Sequence, residues 1–378
     1  MKFEATSKDV AQAIADVLPT IPHRTTLPIL DMVLLEIKNR KLTISSNDLD
    51  NYTASTIQVD ANQDARICLP AKVLNWILSG CPDPKICFRL DTKKQVAIIT
   101  HGGSTIYRIQ GLPAEDYPLC DELGDQGTRI VTTERTLKQA LRSARYAISQ
   151  EDTNDTVNSL HLEINPGLTR LIGTDRRRLA LANIAFPSRG PAFAGNLHNR
   201  SIVLALRLLR DHDSEVRLTA VGNKVEIVTA SRRLHSRLIQ GDYPDYQQVL
   251  HAAFSNLEEC EIIVDTQSLK ATLKRAYLLL GEKRVYMKLK IGRGKITLLA
   301  QTVDSHTFAQ SIKCKVDGCA TTKEIWFNAC HTLAALGVIQ DSNCLLIISN
   351  PASPMIVRPN GGPERSLHLI MPGHPPDQ

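Results

Sequence analysis

A chain of 378 residues is longer than one hydrophobic core usually serves, so two or three domains are expected. Hydrophobic residues at 43% and charged residues at 22%, with no long Gly, Ser, Pro or like-charge run, exclude a disordered or fibrous chain; the lack of a membrane-length apolar run and of a signal-peptide core after Met1 points to a cytosolic protein without a membrane partner. The net charge of +6 is uneven, with 13 basic against 16 acidic side chains in residues 1–127, 18 against 12 in 128–250 and 14 against 11 in 251–378, which permits a polyanionic partner but equally describes a solvated surface.

Taken in order, the chain first offers an amphipathic helix, KDVAQAIADVL, with Val10 and Ile14 on one face. A strand, LTISSND, then runs into an acidic turn at Asp48, and a second helix is expected over 69–78 (LPAKVLNWIL). Alternating KICFRLDTKKQVAIIT marks an antiparallel hairpin, and Tyr117-Pro118 closes the segment. The same series then restarts. TLKQALRSARYAI carries Leu137 and Leu141, TRLIGTD ends at Asp175, a helix is expected over 202–211, a hairpin turns at Gly222-Asn223, and Tyr243-Pro244 closes. A third round has Leu269 and Leu273, ITLLAQTVD up to Asp304, a helix over 325–336 (IWFNACHTLAAL) and Met371-Pro372.

The landmarks recur at nearly one period. Helices step by 127 and 132 residues (Val10, Leu137, Leu269), acidic turns by 127 and 129 (Asp48, Asp175, Asp304) and closing prolines by 126 and 128 (Pro118, Pro244, Pro372). Four landmarks in one order imply three homologous domains, 1–122, 128–250 and 257–378. Each is expected to be an α+β unit of two helices packed on antiparallel sheet, with about eight short strands.

Catalytic patterns are weak. Asp48 and Asp50 in NDLDN are two acids on a turn, more often turn formers than metal ligands. Gly292-Arg293-Gly294-Lys295 lacks the spacing of a phosphate loop, and no H-E-x-x-H, G-x-S-x-G or dinucleotide fingerprint occurs. Nine cysteines, an odd number without a C-x-x-C pair, read as small buried hydrophobes kept reduced. No cofactor or metal is expected, and no enzymatic activity.

Several of these segments resemble the β sliding clamp of bacterial DNA polymerase III: HRTTLPILDMVLLE (23–36), GTDRRRLALA (173–182), RLIQGDYPDYQQVL (237–250), NPASPMIVRP and LHLIMP (367–372). The resemblance spans the whole chain. It implies a DNA clamp fold of three tandem domains, forming a ring as a head-to-tail dimer, whose helices face duplex DNA and whose outer layer is sheet. Such a ring stays on DNA by topology, so sequence-independent attraction to phosphate is enough. Implied partners are double-stranded DNA, DNA polymerase subunits and a clamp loader through short linear peptides, and a second copy of the chain.

Carried over to this sequence, the DNA-facing residues would be Arg24 and Gln150, in loops that match the family's, with Glu151 beside Gln150. The helices would add Lys72, Lys138, Arg142, Arg145, Arg207, Arg210, Lys270 and Lys274, although basic residues on an amphipathic helix also serve simply to solvate it. The peptide pocket, between the second and third domains, would comprise Val157, Thr174, Arg176, Arg177, Arg178, Leu179, Pro244, Gln248, Val249, Pro354, Leu369, Met371 and Pro372. The chain departs from the family at several of these: Arg176 replaces a glycine, Arg177 a histidine, Gln248 an arginine, and Gly373 a methionine, removing apolar area from one wall. Arg176 to Arg178 fit a solvated turn as well as a peptide contact, and the Pro-rich tail a disordered overhang.

The subunit interface would take Tyr107 and Ile109 from a first-domain edge strand and Leu278 and Leu279 from a third-domain helix, the leucines fitting a core equally well. The alternatives are a protein-binding scaffold that no longer loads onto DNA and a metal-dependent DNA hydrolase using Asp48, Asp50 and Asp175.

Overall fold

The computed structural model describes every residue except 125–126, 151–155, 255–259, 281–285, 302–306, 319–322, 362–364 and 374–378. Glu151, Asp304, Cys319 and the Pro-rich tail therefore lie outside the described residues.

Seven helices are present among the described residues: α1 (Ser7–Val17), α2 (Ala71–Ser79), α3 (Glu134–Arg145), α4 (Asn199–Leu208), α5 (Tyr246–Phe254), α6 (Thr266–Leu280) and α7 (Ala329–Val338). Local chemistry explains their ends. Thr6 caps α1 by accepting from the Asp9 amide, and the i, i+3, i+4 set Val10, Ala13, Ile14 and Val17 turns inward. The helix expected over 325–336 is strand over Glu324–Asn328 before it is helix. Ile325, Trp326 and Phe327 favour the pleated conformation, and the Asn328 carboxamide oxygen accepts from the amides of Cys330 and His331 and so starts α7. Helix α5 was not anticipated; the Asp245 carboxylate caps it through the amides of Gln247 and Gln248.

The chain separates into two compact units, each of which takes part of the central repeat. The first comprises residues 1–135, 189–191 and 203–238. One sheet in it orders strands Asp60–Ala61, Lys2–Thr6, Lys85–Asp91, Val96–His101 and Thr105–Gln110, which leaves Thr105–Gln110 as an edge. A second sheet crosses from the central to the N-terminal repeat where Arg232–Arg237 pairs antiparallel with Asn51–Gln58, Leu234 opposite Thr53. Phe3 and Phe88, stacked at 4.7 Å between ring centroids, lie in the N-terminal core with Val10, Ile14 and Leu74.

The second unit comprises residues 136–188, 192–202 and 239–378. Its sheet passes from the central to the C-terminal repeat where Arg178–Ile184 pairs antiparallel with Ser366–Ile370, Leu179 opposite Leu369. Thr307–Asp317 is the long strand of this unit. Its residues Cys314 to Asp317 pair with Glu261 to Val264, whereas among the described residues Thr307 to Lys313 pair only with Lys295–Gln301. Gly173 marks a close approach, since a Cβ there would lie 2.3 Å from the Ala144 carbonyl oxygen near the end of α3.

Among the described residues seven cysteines (68, 81, 87, 120, 314, 330 and 344) carry free thiols, of which Cys68 and Cys344 are buried and the other five only partly so. Cys260 departs from the expected reduced state, being disulfide-bonded. Tertiary proximity of thiols, which cysteine spacing does not encode, decides such bonds.

Candidate functional sites

Arg24 is exposed in the loop before the 3₁₀ turn Pro28–Asp31, and Lys72, Arg142, Gln150, Arg207 and Lys274 are exposed as well. Other basic residues proposed for DNA are less open to solvent. Lys138 is only 7% exposed, and Arg145 is half-buried with its Nε donating to Asn199 Oδ1 at 2.9 Å. At about 100° per residue, Lys138 and Arg145 sit nearer the Leu137/Leu141 line than Arg142 does, so packing covers them. The expected three-residue stripe reduces to Arg142.

The Arg210 guanidinium is paired with the buried carboxylate of Asp16, while its amide donates to Glu134 Oε2 at 2.7 Å. This is a structural tie and not an open phosphate contact. Lys270 donates to the Ile339 carbonyl at 3.2 Å, at the C-terminal end of α7 where a cation is favoured.

The residues expected for a peptide pocket all fall within the second unit. Val157, Thr174, Leu179, Pro354 and Leu369 are buried and present little surface to a ligand. Leu179, Leu369 and Val249 belong to one apolar cluster with Ile172, Tyr243 and Tyr246. Pro244, Val249 and Pro372 are half-buried, and Arg176, Arg177, Gln248 and Met371 are exposed. Met371 donates its amide to the Arg177 carbonyl at 3.0 Å, which joins the ends of two paired strands.

Asp175 organises the turn. Its Oδ1 accepts from the amides of Arg177 and Arg178, and its Oδ2 accepts from Arg178 Nε at 2.9 Å. Arg178 also lies over the Tyr146 ring at 5.5 Å, so it positions the turn, leaving Arg176 and Arg177 outward. Arg176 has a φ of 68°, in the left-handed region that favours glycine. Gly373 is required by contact, because a Cβ there would lie 2.3 Å from Tyr286 Cδ1; the Tyr286 ring occupies the space beside it. Two of the three hydrolase carboxylates, Asp175 and Asp48, are thus committed to their own turns, Asp48 accepting from the amides of Asp50 and Asn51.

At the proposed subunit surface, Ile109 belongs to the N-terminal core at 6% exposure, and Tyr107 is half-buried against that core and stacked on His101. The exposed apolar residue of this strand is Ile106, at 69%. Tyr107 and Ile109 share one face of the pleat and Ile106 takes the other, so the expectation selected the inward face. Leu278 and Leu279 are exposed at 79% and 53%, with Tyr277 beside them, which removes the core reading for both leucines.

Three family models match in tandem, described as DNA polymerase III beta subunit N-terminal domain at residues 1–121, central domain at 132–245 and C-terminal domain at 253–374. A beta sliding clamp of Pseudomonas aeruginosa is 25% identical over 376 residues, covering 98% of this chain and 99% of that protein. One of Caulobacter vibrioides is 26% identical over 362 residues, covering 94% and 95%. Among solved structures, the DNA polymerase sliding clamp of Bacillus subtilis matches with a TM-score of 0.89 at 22% identity, over 99% of each chain. A P. aeruginosa sliding clamp bound to griselimycin matches at 0.90 and 24%, also over 99% of each. With three clamp domains in order over nearly its whole length, the chain belongs to the DNA polymerase III beta subunit family.

Proposed function

We propose that this chain is a cytoplasmic DNA sliding clamp, a processivity factor without a reaction of its own. Two copies would close head to tail around duplex DNA and hold a polymerase or other DNA enzyme through a linear peptide. One observation carries the ring: two strand edges, Thr105–Gln110 in one unit and Thr307 to Lys313 in the other, each have one strand neighbour among the described residues, with exposed Ile106 on the first and exposed Tyr277, Leu278 and Leu279 on α6, the helix packed on the second strand. Open edges with apolar cover are a liability in a monomer and a ready joint between copies.

DNA contact falls to the exposed set Arg24, Lys72, Arg142, Gln150, Arg207 and Lys274, which would attract phosphate without reading sequence. Peptide binding falls to the surface of Arg176, Arg177, Gln248 and Met371 over the Leu179/Leu369 layer. The test combines particle size in solution with retention on nicked circular and linear DNA. A dimer retained on circles and lost when they are cut supports the reading; equal, salt-sensitive binding to both forms overturns it. Peptide binding without retention on circles would favour the scaffold, for which the altered turn at Arg176 is the relevant observation.

A further inference from the structure

In the N-terminal repeat, away from every surface assigned above except the start of the edge strand, Cys81, Asp83 and His101 converge. Their donor atoms, a thiol sulfur, a carboxylate oxygen and an imidazole nitrogen, all lie within 4.8 Å of one another. Cys81 and Asp83 follow α2, and His101 ends the strand Val96–His101. Folding brings two separate segments together here.

Groups other than these three side chains also hold the arrangement. Ser7 donates its hydroxyl to the Asp83 carbonyl, and its amide donates to Pro84 at 3.0 Å, which fixes the loop to the start of α1. Opposite, Gly102 turns the chain at a φ of 58°, and a Cβ there would lie 2.8 Å from Asp83 Oδ2. The carboxylate is thus seated against a backbone that only glycine leaves open. His101 Nδ1 lies 2.7 Å from Asp83 Oδ2, the imidazole is 8% exposed, and its Nε2 has no hydrogen-bond partner among the described residues. The Cys81 thiol is half-buried, is not in a disulfide, and donates to the Asp83 carbonyl at 3.8 Å.

We propose that Cys81, Asp83 and His101 bind a zinc-type divalent ion. One sulfur, one nitrogen and one oxygen form a borderline donor set that suits zinc in four-coordinate geometry, whereas calcium and magnesium prefer oxygen alone. Three protein donors leave a fourth position for water. Binding replaces the thiol proton, so the metal takes up thiolate and releases a proton to solvent. The ion staples the loop after α2 to the turn at His101, where the Tyr107 ring stacks on the imidazole at 5.8 Å. It therefore stiffens the start of the edge strand.

The test uses the full untagged chain, stripped with a chelator and titrated with cobalt(II) as a spectroscopic stand-in for zinc. The expected result is one equivalent with a thiolate-to-cobalt charge-transfer band, displaced by zinc, and lost in Cys81→Ser and His101→Gln. A second measurement needs no variant: zinc should slow alkylation of Cys81 while leaving Cys87 and Cys120 unchanged. No thiolate band in the parent chain, a band that persists in Cys81→Ser, or alkylation of Cys81 indifferent to zinc would each overturn the site.

Discussion

Arg232 Nη2 lies 3.0 Å from Glu134 Oε1, with the Glu134 side chain buried at 3% exposed and that of Arg232 largely covered at 11%. Glu134 also accepts the Arg210 amide, and Arg210 in turn pairs with Asp16, so two carboxylates and two guanidiniums form one network that ties α1 to the central repeat. Such a network satisfies every charge it buries, and removing one member strands another.

Glu134→Gln should therefore destabilise the protein by roughly 3–5 kcal/mol, the usual result of leaving a buried charge without its partner. Urea unfolding measures it. A loss below about 1 kcal/mol would mean that the pair behaves as a surface salt bridge.

Arg176 holds a left-handed conformation that a side chain disfavours. Arg176→Gly should stabilise the fold by up to about 1 kcal/mol, since relief of the steric penalty outweighs the added freedom of the unfolded chain. A thermal melt that moves down instead would show that the Arg176 side chain makes compensating contacts.

Tyr146 and His368 share a hydrogen bond of 3.0 Å inside the second unit, and burial pushes the imidazole down from 6.5 to about 3. The folded state thus refuses a proton that the unfolded state accepts. Stability contributed by the neutral ring is full above 6.5, falls as pH drops toward about 3, and levels below. The slope in that window is at most about 1.4 kcal/mol per pH unit. His235, lowered to about 4 by burial and then by Arg233 and its basic neighbours, acts in the same direction. Melting profiles of parent and His368→Gln should diverge in slope across this window; parallel profiles would rule out His368 as a source of acid sensitivity.

Leu278→Asp and Ile106→Asp should each give a folded monomer, visible as halved mass in solution with an unchanged circular dichroism spectrum. Ile109→Asp should instead unfold the N-terminal repeat, because it places a charge in the core. An intact dimer in Leu278→Asp would move the interface elsewhere.

Arg142→Ala should lower the salt dependence of DNA binding by about one unit of the log–log slope, as loss of one phosphate contact does. Lys138→Ala should leave that slope unchanged and cost stability, since Lys138 is buried. The reverse pattern would place Lys138 and not Arg142 at the DNA.

Much of the fold is legible in the residues. The i, i+4 pairs Val10/Ile14, Leu137/Leu141 and Leu269/Leu273 report helix faces through local periodicity, and recurrence of these pairs with the acidic turns reports three repeats. The order of segments around Arg24, Asp175 and Met371 likewise marks the family without reference to distant contacts. Helix α7 was harder, because an apolar run is ambiguous between strand and helix until Asn328 caps it.

Burial of particular polar groups was not legible. Lys138, Arg145 and Arg210 look like phosphate ligands in a list of basic helix residues, and only neighbours far away in sequence, Asn199 and Asp16 for the two arginines, remove them. The sequence by itself determined the repeat, the fold class and the family, since periodicity and motif order are properties of neighbouring residues. Tertiary structure alone decided which charges stay in water, which of Ile106 and Ile109 faces out, and that Cys81, Asp83 and His101 meet, because each depends on segments brought together only when the cores close.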